Sequence, residues 1–121
     1  MPTVLIVDDA LFMRVTIGNI LKGYGFEVVG EATNGKEAIL LYDQLLPDLV
    51  TMDITMPVMA GIEAVQRITA KHSDANIIMI TALGQRNKIK NAIESGAKDF
   101  ITKPFQPEQL KAVALNVLNL T

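Results

Sequence analysis

Short aliphatic runs alternate five times with amphipathic stretches in this chain, and few architectures satisfy such an alternation. Thr3 to Val7, Glu27 to Gly30, Leu49 to Met52, Ile77 to Ile80 and Asp99 to Ile101 read as strands. Several are apolar without alternation, the pattern of strands covered on both faces. Between them, apolar residues fall at helical spacing: Met13, Ile17, Ile20, Leu21 and Tyr24, then Ala38, Leu41, Tyr42 and Leu45, then Ile62, Val65 and Ile68. Ile89, Ala92, Ile93 and Ala97 form a fourth stripe that stops near Gly96. Leu110, Val113, Ala114 and Val117 form a fifth, with Pro107 where a helix starts. Parallel neighbours need crossovers, so five such units predict an α/β fold with a parallel sheet between helices.

At 121 residues, half of them hydrophobic and with no Gly/Ser/Pro-rich linker, the chain fits one domain spanning 1–121. A net charge of -2 with scattered Lys and Arg argues against nucleic acid as a ligand. The absence of cysteine excludes disulfides and thiolate metal sites. No export signal opens the chain and no apolar run reaches membrane-spanning length, so a cytoplasmic protein with no membrane contact is expected.

The polar residues sort by the strand end they occupy. Asp8 and Asp9 follow the first run, Asp53 the third, Thr81 closes the fourth and Lys103 follows the fifth. All lie at carboxyl ends, the edge of an open α/β sheet where ligands bind. Asp48 and Asp99 precede their runs and belong to the opposite edge, where an acid is expected only to be solvated.

Three carboxylates brought together need a counter-charge. At roughly 4 Å, two like charges near a protein surface repel by about 4 kcal/mol at an effective dielectric of about 20. A divalent cation together with Lys103 balances the three acids and lets the site accept a phosphoryl dianion. Oxygen ligands with no His or Cys nearby select a hard ion, and few protein ligands plus retained waters suit Mg²⁺ better than Ca²⁺. Asp53 then has a chemical role beyond ligation, because a carboxylate can attack phosphorus and form an aspartyl phosphate. Lys103 and the Thr81 hydroxyl would hold the transferred oxygens.

The stretches "VDDA", "MDITMP", "MITA" and "KPF" stand in an order and at separations that resemble response-regulator receiver domains over the whole chain. "DDALFMR" and "GAKDFITKPF" are most similar to the CheY-type chemotaxis regulators of that family. The resemblance implies a doubly wound, flavodoxin-like, five-stranded parallel sheet of order 2-1-3-4-5 with five helices in three layers. It implies Asp53 as phosphoacceptor, Mg²⁺ held by Asp8, Asp9, Asp53 and the backbone carbonyl of Thr55, Thr81 as switch hydroxyl, and Lys103 paired with the phosphoryl group. A cis peptide to Pro104 is implied as the device that aims Lys103. The implied protein is no enzyme but a phosphoacceptor that catalyses only its own phosphorylation and dephosphorylation.

Partners follow from the same resemblance: a CheA-type histidine kinase as donor, a flagellar-motor switch protein or other docking partner as target, and a dedicated phosphatase. On phosphorylation, Thr81 would move toward the phosphate and Phe100 would turn inward. The output face with Ile89, Lys90, Phe100 and Thr102 would then change, coupling partner and phosphate by about 1–3 kcal/mol. Three positions depart from or qualify the pattern. Phe100 stands where the best-known chemotaxis proteins have Tyr, so no phenolic hydroxyl is available to a partner. Thr55 and Leu83 flank the phosphoryl site and leave its lifetime open. Ala60 replaces the Asp or Asn often found before the loop glycine, Gly61.

Plainer roles compete for several residues. Asp9 alone would serve as a helix cap, but a cap needs one acid and not Asp8 as well. His72 is expected to be exposed at the end of the third helix, and Phe12 and Met13 are expected in core and helix-end packing. Arg86, Lys88 and Lys90 read as a solvated helix face that an acidic partner could use. An aspartate-nucleophile phosphatase would place a general acid two residues after the nucleophile, where Thr55 stands. A dinucleotide site fails because the first loop is "DDAL", and "GYGFEVVG" precedes a strand instead of following one. With the chain ending at Thr121, action by docking is expected, with a phosphorelay intermediate serving a histidine phosphotransfer protein as the alternative to motor control.

Overall fold

The computed structural model describes residues 1–120, with the side chain of Leu83 outside the described set. The strands are β1 (Thr3–Val7), β2 (Glu27–Ala32), β3 (Leu49–Asp53), β4 (Ile77–Thr81) and β5 (Asp99–Thr102). The helices are α1 (Leu11–Gly23), α2 (Gly35–Leu45), α3 (Gly61–Lys71), α4 (Ile89–Glu94) and α5 (Pro107–Val117), with a 3₁₀ segment over Leu83–Lys88 ahead of α4. All strands pair in parallel in the order β2-β1-β3-β4-β5, as the resemblance implies. Succession runs outward to β2 on one side of β1 and to β3 on the other, so the reversal falls between β1 and β3. Asp8 and Asp53 leave the sheet at that point, where a crevice forms between crossovers packed on opposite faces.

Every residue of β3 and β4 is buried, as is β1 after Thr3. On one face, Val4, Ile6, Leu49, Ile78 and Ile80 pack against Ile17 and Leu21 of α1 and Leu110 and Ala114 of α5. On the other, Leu5, Val7, Val50, Met52 and Met79 pack against Ala38 and Tyr42 of α2, Ala64, Val65 and Ile68 of α3, and Ala92 of α4. Each fully buried Leu or Ile contributes about 1.5–3 kcal/mol, so the central strands form the rigid base from which the site loops leave.

Local signals start and stop the helices. Asn34 Oδ1 accepts the Glu37 N–H at 2.9 Å at the start of α2, and Glu37 Oε1 returns to the Thr33 N–H at 2.7 Å, a reciprocal cap. Pro107 occupies the first turn of α5 as expected. Gly96 takes φ +122 after α4, and a Cβ there would meet Thr69 side-chain atoms at 2.6 to 2.9 Å.

Several expectations need correction. β2 continues two residues past Gly30, because Glu31 and Ala32 keep pairing with Ile6 and Val7 although exposed Glu31 breaks the apolar run. The fourth helix is only Ile89–Glu94, so Ala97 of its stripe lies beyond it, and Ile93 and Leu45 are 42% and 37% exposed. Phe12 is 79% exposed beside Leu11 and Val15, because the buried stripe of α1 runs through Ile17 and Leu21 and misses it; Met13 does pack against the core. His72 is partly covered, its Nε2 2.8 Å from Asp43 Oδ1 and its ring 4.9 Å from that of Tyr42. Asp48 is more than solvated, since its Oδ2 accepts the Thr3 N–H at 2.8 Å and the Thr3 hydroxyl at 3.1 Å. Asp99 is half-buried, with Oδ1 accepting the Phe100 N–H at 2.8 Å.

Candidate functional site

The ends of β1 and β3 bring Asp8, Asp9 and Asp53 together, each with a carboxylate oxygen within 4.8 Å of the others. Asp8 and Asp53 are buried and Asp9 is exposed at the rim. Asp8 is fixed at both backbone and side chain: its N–H donates to Ala32 O at 3.0 Å, and its Oδ1 accepts the Ala10 N–H at 2.9 Å. Ala10, not Asp9, precedes α1 and has no side-chain cap, so Asp9 is left for the cluster. Lys103 Nζ lies 3.4 Å from Asp8 Oδ2 and 3.7 Å from Asp53 Oδ1. The Lys103 N–H donates to Thr81 O at 2.7 Å, and the Lys103–Pro104 peptide is cis.

Asp53 holds the least comfortable charge. Among the described residues, its Oδ1 accepts the neighbouring Ile54 N–H alone, at 2.9 Å. Burial pushes its carboxyl up to about 6 and the Asp8 charge adds to the rise, while Lys103 and the Ile54 N–H oppose it. Gly61 closes the loop beneath it, donating its N–H to Ile54 O at 2.7 Å. A Cβ at Gly61 would lie 2.0 Å from Asp53 O, so no side chain fits there. Ala60 leaves the start of α3 without a side-chain cap, and the glycine contact holds this turn.

Thr81 is fully buried at the end of β4, and its hydroxyl donates to Ile101 O at 3.3 Å, toward β5. Met79 pairs with Phe100 and Thr81 with Thr102 across β4 and β5. Phe100 is half-buried against the core and borders, with Thr102 and Val113, an open groove beside α5. Ile89 is half-buried at the start of α4; Lys90 is exposed, its Nζ 3.9 Å from Glu94 Oε1. Arg86 and Lys88 are exposed as expected. Thr55 is exposed two residues beyond Asp53.

Two residues escaped the sequence reading. Arg14 Nη1 donates to Asp8 O at 2.7 Å while its Nε pairs with Glu31 Oε1 at 2.9 Å, tying the first loop to β2. A cation near the start of a helix works against the helix dipole, and that mismatch was the available signal. Gln85 is the second: its Nε2 donates to the Thr55 hydroxyl. A hollow of about 760 Å³ opens elsewhere, at the amino-terminal edge among Tyr42, Asp48, His72 and Asp74; Asp8, Asp9 and Asp53 do not line it.

A cluster of hard oxygen donors with an excess of negative charge, flanked by one lysine, can hold a divalent cation. No helix among the described residues is long and apolar enough to cross a membrane. A family model described as the response regulator receiver domain matches residues 4–115. "Chemotaxis protein CheY" of Listeria monocytogenes is 56% identical over 106 residues, 88% of this chain and 89% of that protein. The Bacillus subtilis protein of the same name is 52% identical over 116 residues, 96% of this chain and 97% of that one. A chain from the crystal structure of the CheX-CheY-BeF3-Mg²⁺ complex of Borrelia burgdorferi superposes with a TM-score of 0.91 at 37% identity, covering 95% of this chain and 87% of that chain. With the acid cluster, the strand order and these likenesses in agreement, the chain belongs to the family of response regulator receiver domains.

Proposed function

We propose that this chain accepts a phosphoryl group onto Asp53 from a CheA-type histidine kinase and passes the signal on by docking. The observation that carries this reading is the convergence of Asp8, Asp9, Asp53 and Lys103 at one rim of the sheet. In the transfer, an Asp53 carboxylate oxygen forms a bond to phosphorus as the bond from phosphorus to the donor's histidine nitrogen breaks, and that nitrogen keeps the electron pair. Only the ionised carboxylate is a nucleophile, so protonation of Asp53 opposes labelling. Lys103 takes up charge on the transferred oxygens, and Asp8 stays ordered through the Ala10 N–H and Arg14. Asp8, Asp9, Asp53 and the Thr55 carbonyl are the residues that would hold Mg²⁺, which would supply positive charge against the carboxylates and the phosphoryl group.

Likeness to chemotaxis proteins supports a flagellar-motor switch protein as the target, in the cytoplasm. The proposed output face is α4, β5 and α5, around Ile89, Lys90, Phe100 and Thr102. Thr81 touches β5 through Ile101 O, which gives a phosphate that recruits this hydroxyl a direct route to the strand carrying Phe100. The Borrelia burgdorferi structure contains CheX, BeF3 and Mg²⁺ with CheY, which supports both the metal and a CheX-like protein in the role of dedicated phosphatase.

Incubation with acetyl phosphate and Mg²⁺, followed by intact mass and peptide mapping, tests the reading. One added phosphoryl group on Asp53 is expected, labile to hydroxylamine, dependent on the metal and missing in Asp53→Asn. A label on another residue, or one indifferent to the metal, would overturn it. Tighter binding of a motor-switch peptide after labelling supports chemotaxis, whereas onward transfer to a histidine of another protein would place the chain in a phosphorelay.

A further inference from the structure

The hollow of about 760 Å³ lies at the opposite edge of the sheet from Asp53, where the segments entering β3 and β4 meet the start of the chain and the stretch after α5. Its size is that of a small-molecule pocket, about 300–1,000 Å³. Tyr42 sits deepest in it. That residue is only 5% exposed, with its ring 4.9 Å from that of His72, and its hydroxyl has no hydrogen-bond partner among the described residues. Asp74 and Asp48 line the hollow with it, and their charges join burial in raising the hydroxyl above the usual tyrosine range. The hydroxyl end of the ring, which feels those two carboxylates, therefore faces the hollow. A phenol held there stays protonated and keeps an oxygen lone pair to offer.

The other polar groups of the lining are mostly engaged. Asp48 accepts from Thr3, Asn76 donates its Nδ2 to Asp48 O at 3.2 Å, and His72 Nε2 meets Asp43. Asp74 is exposed and makes no ion pair or side-chain hydrogen bond among the described residues. Met1 also lines the hollow, but its amino group pairs with neither acid there among the described residues. Two carboxylates against that one amine leave the lining negative. Apolar surface stands beside this charge: Leu46 and Leu120 are both exposed on the hollow's wall. Leu46 ends α2 in the left-handed region at φ 44, where Gly or Asn is favoured, and still carries a large apolar side chain.

We infer that this hollow binds a small organic cation with an apolar body, its ammonium or amidinium group held by the Asp74 carboxylate and the Tyr42 hydroxyl and its body laid against Leu46 and Leu120. An anion would be repelled by both carboxylates. A wholly apolar ligand would strip water from the Tyr42 hydroxyl and Asp74 and give them no partner. The N–H donors of a cation satisfy both groups, and the charged pair strengthens as the ligand's body excludes water. The site shares no residue with the carboxylate cluster, so it stands whether or not Asp53 is phosphorylated.

Phenethylamine, protonated at neutral pH, is the probe, with phenethyl alcohol as its neutral counterpart and hydrocinnamate as its anionic one. Backbone amide shifts of the isotopically labelled protein follow each titration. Saturable shifts at Tyr42, Asp74 and Asn76 are expected for the amine, half-complete at on the order of 1 mM, with affinity at least roughly 10-fold lower for the alcohol and the acid. Tyr42→Phe keeps the ring and removes the hydroxyl, and Asp74→Asn keeps the shape and removes the charge. Each should weaken the amine roughly 3- to 10-fold and leave the melting temperature near that of wild type, whereas a merely structural role would leave the preference for the amine over the alcohol untouched. Equal affinity for the alcohol or the acid, no saturable shifts around the hollow, or undiminished affinity in either variant would overturn the inference.

Discussion

At the amino-terminal edge of the sheet Asp48 receives both the N–H and the hydroxyl of Thr3, and its own N–H donates to that hydroxyl at 2.9 Å. At the carboxyl-terminal edge Asp8, Asp9 and Asp53 crowd within 4.8 Å, and Lys103 pairs with Asp8 and Asp53. The same residue type thus does two kinds of work. Where each carboxylate has its own donors, it locks strands together. Where three carboxylates face one lysine, the fold is left with negative charge that a cation can satisfy. The helix-side acids follow the first pattern: hydrogen bonds from Thr33 hold Glu37 below the usual carboxylate range, and those from His72 and Lys71 do the same for Asp43. Asp53 moves in the opposite direction.

The sharpest break of this contrast is Asp53→Asn without metal. Because the folded Asp53 holds its proton up to about pH 6, its contribution to stability is complete below about pH 4 and is lost as pH rises through about 6. Removing the charge should therefore stabilise the metal-free protein at pH 7 by on the order of 2–3 kcal/mol, with little gain at pH 4. Urea unfolding at the two pH values measures the difference. Equal stabilisation at both would mean that the buried charge is not its source.

Asp48→Ala should act in the other direction, costing about 1–2 kcal/mol at pH 7 by leaving the Thr3 donors without their acceptor. Chemical denaturation checks this, and the loss should not depend on Mg²⁺. Between the two edges lies Thr51, fully buried in β3, its hydroxyl without a hydrogen-bond partner among the described residues. Thr51→Val keeps the shape and removes the orphaned group, so a gain of about 1 kcal/mol is expected. A loss there would show that the hydroxyl has a partner in solution.

Legibility in the sequence depended on the range of the interactions involved. Apolar runs without alternation announced β1, β3 and β4 because both faces of those strands are buried, so their composition reports a single environment. β2 is an edge strand, and its exposed Glu31 hid the final residues from a reading based on apolar runs. The fourth stripe starts at Ile89 as read, but the helix ends at Glu94 and Gly96 takes a positive φ, so Ala97 joins the core from beyond the helix. The site acids were legible because strand ends converge in any parallel α/β sheet, so position along the chain implied position in space. Arg14 and Gln85 were not, since each acts through a side chain reaching a separate segment, β2 for Arg14 and the loop after β3 for Gln85, and no local spacing encodes that reach. His72 was misread for the same reason: its partner Asp43 belongs to a different helix.

Mg²⁺ titration of wild type, Asp9→Ala and Asp48→Ala, read by calorimetry and by the shift in melting temperature, bears most directly on the carboxylate cluster. Saturable binding that raises the melting temperature is expected in wild type and in Asp48→Ala, with strongly weakened affinity in Asp9→Ala. Undiminished Mg²⁺ binding in Asp9→Ala, or none in wild type, would contradict the assignment of these three carboxylates as the metal site.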